Sequence, residues 1–116
     1  MSEHHLQLSD RALELVAHRF KLLGEPTRLR LLRQLMQGEQ SVNELVSASG
    51  STQANVSKHL NMLAEGGLLA RRKVGLSTLY SIADPTLFTL CDLVCRSLQT
   101  QGAEELQHLR TEKQSA

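Results

Sequence analysis

Apolar residues keep a helical period through most of this chain, and the clearest departure from it comes after residue 66. Ser9 heads a first amphipathic run to about Leu23, in which Leu13, Val16, Phe20 and Leu23 fall at i, i+3, i+7 and i+10, and Gly24 ends it. Glu25-Pro26 opens a second run, with proline in the first turn where its missing N–H does no harm and Leu29, Leu32 and Met36 as the inward face. Residues 37–40 break it. Ser41-Val42-Asn43-Glu44 has capping-box spacing and starts a short third helix through Leu45 and Val46, and Ser49-Gly50-Ser51 separates that helix from a fourth. Thr52 can cap the fourth, and Val56, Leu60 and Leu63 recur at i, i+4 and i+7 along it. Gly66-Gly67 stops the helical period. Residues 68–73 then read as a strand, Val74-Gly75 as its turn and residues 76–82 as the returning strand. Asp84-Pro85 caps a fifth helix striped with Leu87, Leu90, Cys91, Val94, Cys95 and Leu98, which is expected to pack partly across a dimer interface beside the first helix.

Two short helices joined by a tight glycine-containing turn form a helix-turn-helix, and a β-hairpin directly after the second helix is the layout of a winged helix. The expected fold is therefore mainly α with one small hairpin, in the order helix, helix, helix, helix, strand, strand, helix. The polar side of the fourth helix carries Ala54, Ser57, Lys58 and Asn61, with Asn55 on its flank and Gln53 in the first turn. Such side chains suit a major groove: an amide pairs bidentately with adenine, a hydroxyl bonds either way, and an alanine methyl meets that of thymine. Arg71, Arg72 and Lys73 in succession on the hairpin suit phosphate contact. A solvated outer face and a charge-defended edge strand are the plainer accounts of the same residues.

Total charge says little about a nucleic-acid partner, since the net value is +1 and the isoelectric point about 7.9. Its distribution says more. Residues 19–36 hold five Lys or Arg against one Glu, residues 51–82 hold four against one, and the stretches before, between and after are net acidic. At 116 residues with 41% hydrophobic and 3% aromatic content, the chain is expected to form one domain over residues 9–101, with tails at 1–8 and 102–116, and a thin core that gains area in a symmetric homodimer. The N-terminal residues lack a signal-peptide pattern, and no apolar run approaches the roughly 18 residues of a membrane span. A soluble cytoplasmic protein without a membrane partner is the expectation.

Set out in order, several of these segments resemble one family, the arsenic-repressor-type (ArsR/SmtB) winged-helix regulators of bacteria. The likeness spans about residues 12–100 and rests on Leu23-Gly24-Glu25-Pro26-Thr27-Arg28-Leu29, on Ser41-Val42-Asn43-Glu44-Leu45, on Gln53, Val56, Ser57, His59, Leu60 and Leu63 followed by Gly67-Leu68, and on Tyr80, Ile82 and Asp84. It implies a non-enzymatic homodimer that binds an imperfect inverted repeat of double-stranded promoter DNA and represses until an effector loosens it. Its reading surface would be Thr52, Gln53, Ala54, Asn55, Ser57, Lys58, His59 and Asn61, with Arg71, Arg72 and Lys73 on the wing. Members sensing arsenic or cadmium through the third helix resemble Glu-Leu-Cys-x-Cys there; this chain has Glu44-Leu45-Val46-Ser47-Ala48. Members binding zinc near the last helix use Asp-x-His and His-x-x-Glu; the matching positions are Asp84, Thr86, Ser97 and Thr100, and three hydroxyls do not replace those ligands. No zinc site of the family type is expected.

What remains for an effector is Cys91 and Cys95, the only cysteines. Both fall on the apolar stripe, where a free thiol commonly packs as a small hydrophobe. The alternative is a sensor. Cβ atoms at i and i+4 stand about 5–6 Å apart, and an unstrained disulfide wants about 3.5–4.5 Å. A polysulfide bridge, a link between subunits or thiolate-bound As(III) fits better than a simple bond, with reactive sulfur or oxidation ranked slightly above arsenite. Asp92 is expected to raise the thiol pKa, and Arg96 to point elsewhere. Cys-x-x-x-Cys inside an apolar helix differs from the Cys-x-x-Cys of thiol oxidoreductases, and a winged helix that binds protein instead of DNA is the other competing class. His59 lies about 60° from the centre of its helix's apolar face, which suits a half-buried structural role or a phosphate contact. His4, His5 and His108 fall in the expected tails and His18 in the first helix, and a metal site among them is not expected.

Overall fold

The computed structural model describes residues 8–102, and this part of the chain divides after Ala83 into two compact units. The first holds four helices and a three-stranded sheet: α1 (Asp10–Leu23), α2 (Pro26–Leu35), β1 (Gln40–Ser41), α3 (Val42–Ser49), α4 (Gln53–Glu65), β2 (Leu69–Val74) and β3 (Ser77–Ile82). The second holds α5 (Thr86–Thr100). This is the expected winged helix with one added strand. The expected tails lie outside the described residues except for Leu8 and Gly102.

Helix starts follow their capping residues. Ser9 accepts the Ala12 N–H, Glu25 accepts the Arg28 N–H, and Ser41 and Glu44 complete a reciprocal capping box. Gly50 ends α3 at φ +71, a left-handed conformation that glycine takes without a Cβ penalty. The N-cap of α5 is Pro85, which supplies no side-chain cap; Asp84, one residue earlier, accepts the Thr86 N–H in its place.

The core of the first unit is built from leucine. Leu31, Leu32, Leu35, Leu45, Val56, Leu60, Leu63 and Leu68 are almost wholly buried, and Tyr80 supplies its ring from β3. The α4 stripe lies inward as its spacing requires. Two other stripes do not. On α2 the inward set is Arg28, Leu31, Leu32 and Leu35, while Leu29 and Met36 are exposed, because a guanidinium at position 28 occupies the place where an apolar side chain would have marked the stripe. On α1 only Leu22 and Leu23 are buried, and Leu13, Val16 and Phe20 stay open in the single protomer. In the second unit Leu93, Val94 and Leu98 of α5 are likewise exposed.

The sheet order is β1-β3-β2, all antiparallel. Two-residue β1 pairs with Tyr80 and Leu79, closing the edge of β3 that the hairpin leaves open. The turn sits one residue later than expected: Val74 pairs with Ser77, leaving Gly75 and Leu76 as a two-residue loop. Gly75 has φ +62 and Leu76 no positive φ, the pattern of a type II′ turn, whose twist matches that of the strands.

Leu60→Ala is expected to cost about 2–5 kcal/mol in urea unfolding, because it opens a cavity against closely packed leucines. Leu76→Ala, at a fully exposed turn position, should change stability by less than about 0.5 kcal/mol.

Candidate nucleic-acid interface

Helix α4 is held at its start, middle and end. At the start the Thr52 hydroxyl accepts the Asn55 N–H at 3.1 Å, and the Asn55 amide donates to the Ser51 hydroxyl at 2.9 Å. At the end Arg19 of α1 donates to the Gly66 carbonyl at 3.2 Å. Between them lies a buried cluster centred on Arg28. Its Nε donates to the Leu22 carbonyl at 2.6 Å, Nη2 to the Lys21 carbonyl at 3.4 Å, and Nη1 to His59 Nδ1 at 3.1 Å and to the Met62 sulfur at 3.6 Å. A guanidinium has no acceptor, so Nδ1 must accept and His59 is neutral with its proton on Nε2. At 7% exposure His59 faces inward, which removes it from the expected DNA-contacting set and gives it the structural role. Burial lowers its pKa; Arg28 and Lys58 act in the same direction and Glu25 opposes them.

The outward face presents Gln53, Ala54 and Lys58 fully, with Ser57 and Asn55 half-buried at its margin. Among the described residues nothing pairs with Lys58. Asn61 is exposed but engaged: its Oδ1 accepts from Arg71 Nη1 at 2.7 Å and from the Tyr80 hydroxyl at 3.0 Å. It therefore ties the helix to the wing.

The three cations of the wing border one shallow concavity but differ in their bonding. They lie along β2, not at the tip, and strand alternation sends Arg71 and Lys73 to one face and Arg72 to the other. Arg72 makes a two-pronged pair with Glu39, Nε to Oε2 at 2.7 Å and Nη2 to Oε1 at 2.8 Å. That bond holds the Glu39 carboxyl below the usual carboxylate range. Lys73 is exposed without a partner among the described residues, and the tip residue is Leu76. Glu39, Arg28 and Tyr80 were not singled out as interface residues by their spacing. Only Tyr80, opposite Arg71 in the strand register, left a recoverable signal.

In the second unit Cys91 and Cys95 are free thiols of intermediate exposure. The Cys91 pKa is raised, chiefly by burial and then by Cys95. The direction agrees with expectation but the cause differs, since Asp92 is paired with Arg96 at 2.9 Å. Asp84 and Thr86, at the positions of family zinc ligands, are bonded to each other, and no group of three metal-binding side chains gathers among the described residues. Among those residues no helix is long and apolar enough to cross a membrane.

The family model described as "Bacterial regulatory protein, arsR family" matches residues 25–71, from the cap of α2 to the first residue of the wing's cationic run. A probable mercury resistance operon repressor of Streptomyces lividans is 36% identical over 87 residues, covering 75% of this chain and 69% of the relative. The chain belongs to the ArsR family. It is thus related to DNA-binding transcriptional regulators and not to enzymes. The crystal structure of Rv0081 from Mycobacterium tuberculosis aligns with TM-score 0.72 at 32% identity, covering 84% of this chain and 99% of that one. A solution structure from Mycobacterium bovis, described as a homodimeric winged helix-turn-helix DNA-binding domain, aligns with TM-score 0.68 at 35% identity over 87% of this chain and 93% of that one.

The His59 pKa is depressed by folding, so its stabilising effect is complete above the unfolded value of about 6.5 and is lost as pH falls through the folded value. Urea midpoints should accordingly decline as buffers are taken below about pH 6.5. His59→Gln should flatten that decline; an equally steep profile in the variant would assign it to other groups.

Proposed function

We propose that this ArsR-family chain is a transcriptional repressor that binds an inverted-repeat operator as a homodimer, and that an effector acting on Cys91 and Cys95 releases it. The observation that carries the DNA reading is the outward face of α4, where Gln53, Ala54 and Lys58 stand clear of a helix whose other side is locked into the core. Gln53, Ala54 and Ser57 read bases; Lys58 and Lys73 meet phosphates, with Arg71 and Arg72 joining as they exchange their protein partners for the backbone. Thr52, Asn55 and Asn61 position these groups. Exposed apolar side chains on α1 and on α5 favour a second copy of the chain, as does the homodimeric relative.

For release, a soft thiophilic ion is favoured over an oxidant. Burial raises the Cys91 pKa and so disfavours the thiolate that both an oxidant and a soft ion require, and a soft ion offsets that cost through the bonds it forms to sulfur. The mercury resistance description of the Streptomyces relative points the same way. Arsenite would draw its third thiolate from the partner subunit.

Binding should be measured on a duplex enriched from a random pool and on an unrelated duplex. Gln53→Ala should lose about 1–3 kcal/mol on the enriched duplex alone, and Lys58→Ala should weaken both alike. Equal losses on both duplexes for Gln53→Ala would overturn the base-reading role. A salt-independent affinity would favour a protein partner.

Mercuric ion, arsenite and polysulfide should each be titrated into the preformed complex. Release by at least one of them, abolished in Cys91→Ser and Cys95→Ser, is the expected result. Release that persists in both variants would leave the thiols a packing role.

A further inference from the structure

Part of the basic charge of residues 19–36 is spent on holding α4, and part is not. Arg28 is buried, and Arg19 bonds the Gly66 carbonyl. Arg30 and Arg33 are exposed, and both line a concavity of about 170 Å³ between α2 and the corner of the helix-turn-helix. We propose that this concavity is a phosphate site, filled by a backbone phosphodiester at the edge of the groove that α4 enters.

Its walls have the chemistry such a group needs. Thr27, Arg30 and Arg33 form one side and Ser49 and Ser51 the other, with Leu45 beneath. Arg30 spends one contact on the Thr27 hydroxyl, Nη2 to Oγ1 at 3.3 Å, and keeps its remaining donors; Arg33 has no partner among the described residues. No carboxylate is among the lining residues, so nothing competes with an anion for the two guanidinium forks.

Position selects the occupant. Ser51 directly precedes Thr52, the N-cap of α4, and the N-terminal end of a reading helix is the end that meets base edges and the phosphates beside them. The first N–H groups of α4 add positive potential at the same corner. A free anion would gain little from an open site on two solvated arginines. A phosphodiester is delivered there at high effective concentration once α4 is seated. The inference therefore rests on the DNA reading of α4 and extends it to α2.

The test compares the full-length protein with Arg30→Gln, Arg33→Gln and the double variant, none of which removes a buried side chain. Affinity for the enriched and the unrelated duplex is followed against salt. Each lost contact should make the log–log slope shallower by about 0.9 on both duplexes and leave base preference unchanged. Methylphosphonate substitution along the enriched duplex should locate one phosphate per half-site whose neutralisation weakens the unsubstituted protein and leaves the double variant unaffected. Titration of inorganic phosphate without DNA, read from arginine Nε–H resonances, separates the two sources of anion. Unaltered slopes in the variants overturn the proposal, including when free phosphate shifts those resonances. If the unsubstituted protein itself shows no salt-dependent duplex binding, the reading of α4 fails first and this site falls with it.

Discussion

A guanidinium buried between two helices sets the pose of the reading helix. Arg28 is 8% exposed, and a charge so placed is tolerated only when its donors are met. Two of its partners are carbonyls in the last turn of α1, where unsatisfied oxygens and the helix dipole both favour a cation. The other two are His59 Nδ1 and the Met62 sulfur, both on α4. Moving α4 relative to α1 would strand either the carbonyls or the imidazole, at about 1–3 kcal/mol for each buried acceptor left unsatisfied. Leucine packing supplies most of the favourable energy, but apolar contacts are non-directional, and it is this hydrogen-bonded cluster that distinguishes one rotation of α4 from its neighbours.

The wing is oriented by the same kind of bond at its base. Tyr80 and Arg71 converge on Asn61 from adjacent strands, and Arg72 is clasped by Glu39 just ahead of β1. Three successive cations thus do two jobs. Arg71 and Arg72 fix the hairpin against α4 and the α2–β1 connection, and Lys73 remains uncommitted. Both arginine bonds are solvent-exposed, one an ion pair with Glu39 and the other a hydrogen bond to a neutral amide, and exposed contacts of this kind contribute little to stability. Modest net charge is compatible with DNA binding under this arrangement, because local placement of cations, and not their sum, decides how many phosphates are neutralised.

The order of elements was legible because capping residues, glycine stops and the α4 stripe agreed with one another. What escaped was set by tertiary contact. A strand of two polar residues, Gln40 and Ser41, has no periodicity to detect; it exists because β3 offers an open edge. The inward face of α2 was misplaced because Arg28 reads as polar while its side chain lies among leucines. His59 was equally ambiguous at the edge of its stripe until a donor was found for Nδ1. The turn slipped by one residue because Val74-Gly75 and Gly75-Leu76 both place glycine where positive φ is permitted, and only the pairing of Val74 with Ser77 decides between them. Asn61 reads as a base-contacting residue by type and exposure, and its two donors from the wing leave no trace in the helical spacing.

The thiols belong to one compact unit and the outward face of α4 to the other, so the proposed release by an effector would be a coupling between two separate sites. A ligand shifts such an equilibrium only by its difference in affinity for the two states, commonly about 1–3 kcal/mol, or a 5- to 150-fold change in DNA affinity. The same factor must appear in reverse, with DNA weakening the effector. Cys91 and Cys95 are only partly exposed in the protomer, and the Cys91 thiol is already disfavoured as a thiolate by burial. Any ion that binds there must overcome that desolvation, and a soft metal does so through its sulfur bonds, whereas reversible protonation or weak anions have no comparable gain. Under the proposed release, thiol burial would act as a filter on the effector as well as a packing feature, favouring a response confined to thiophilic species.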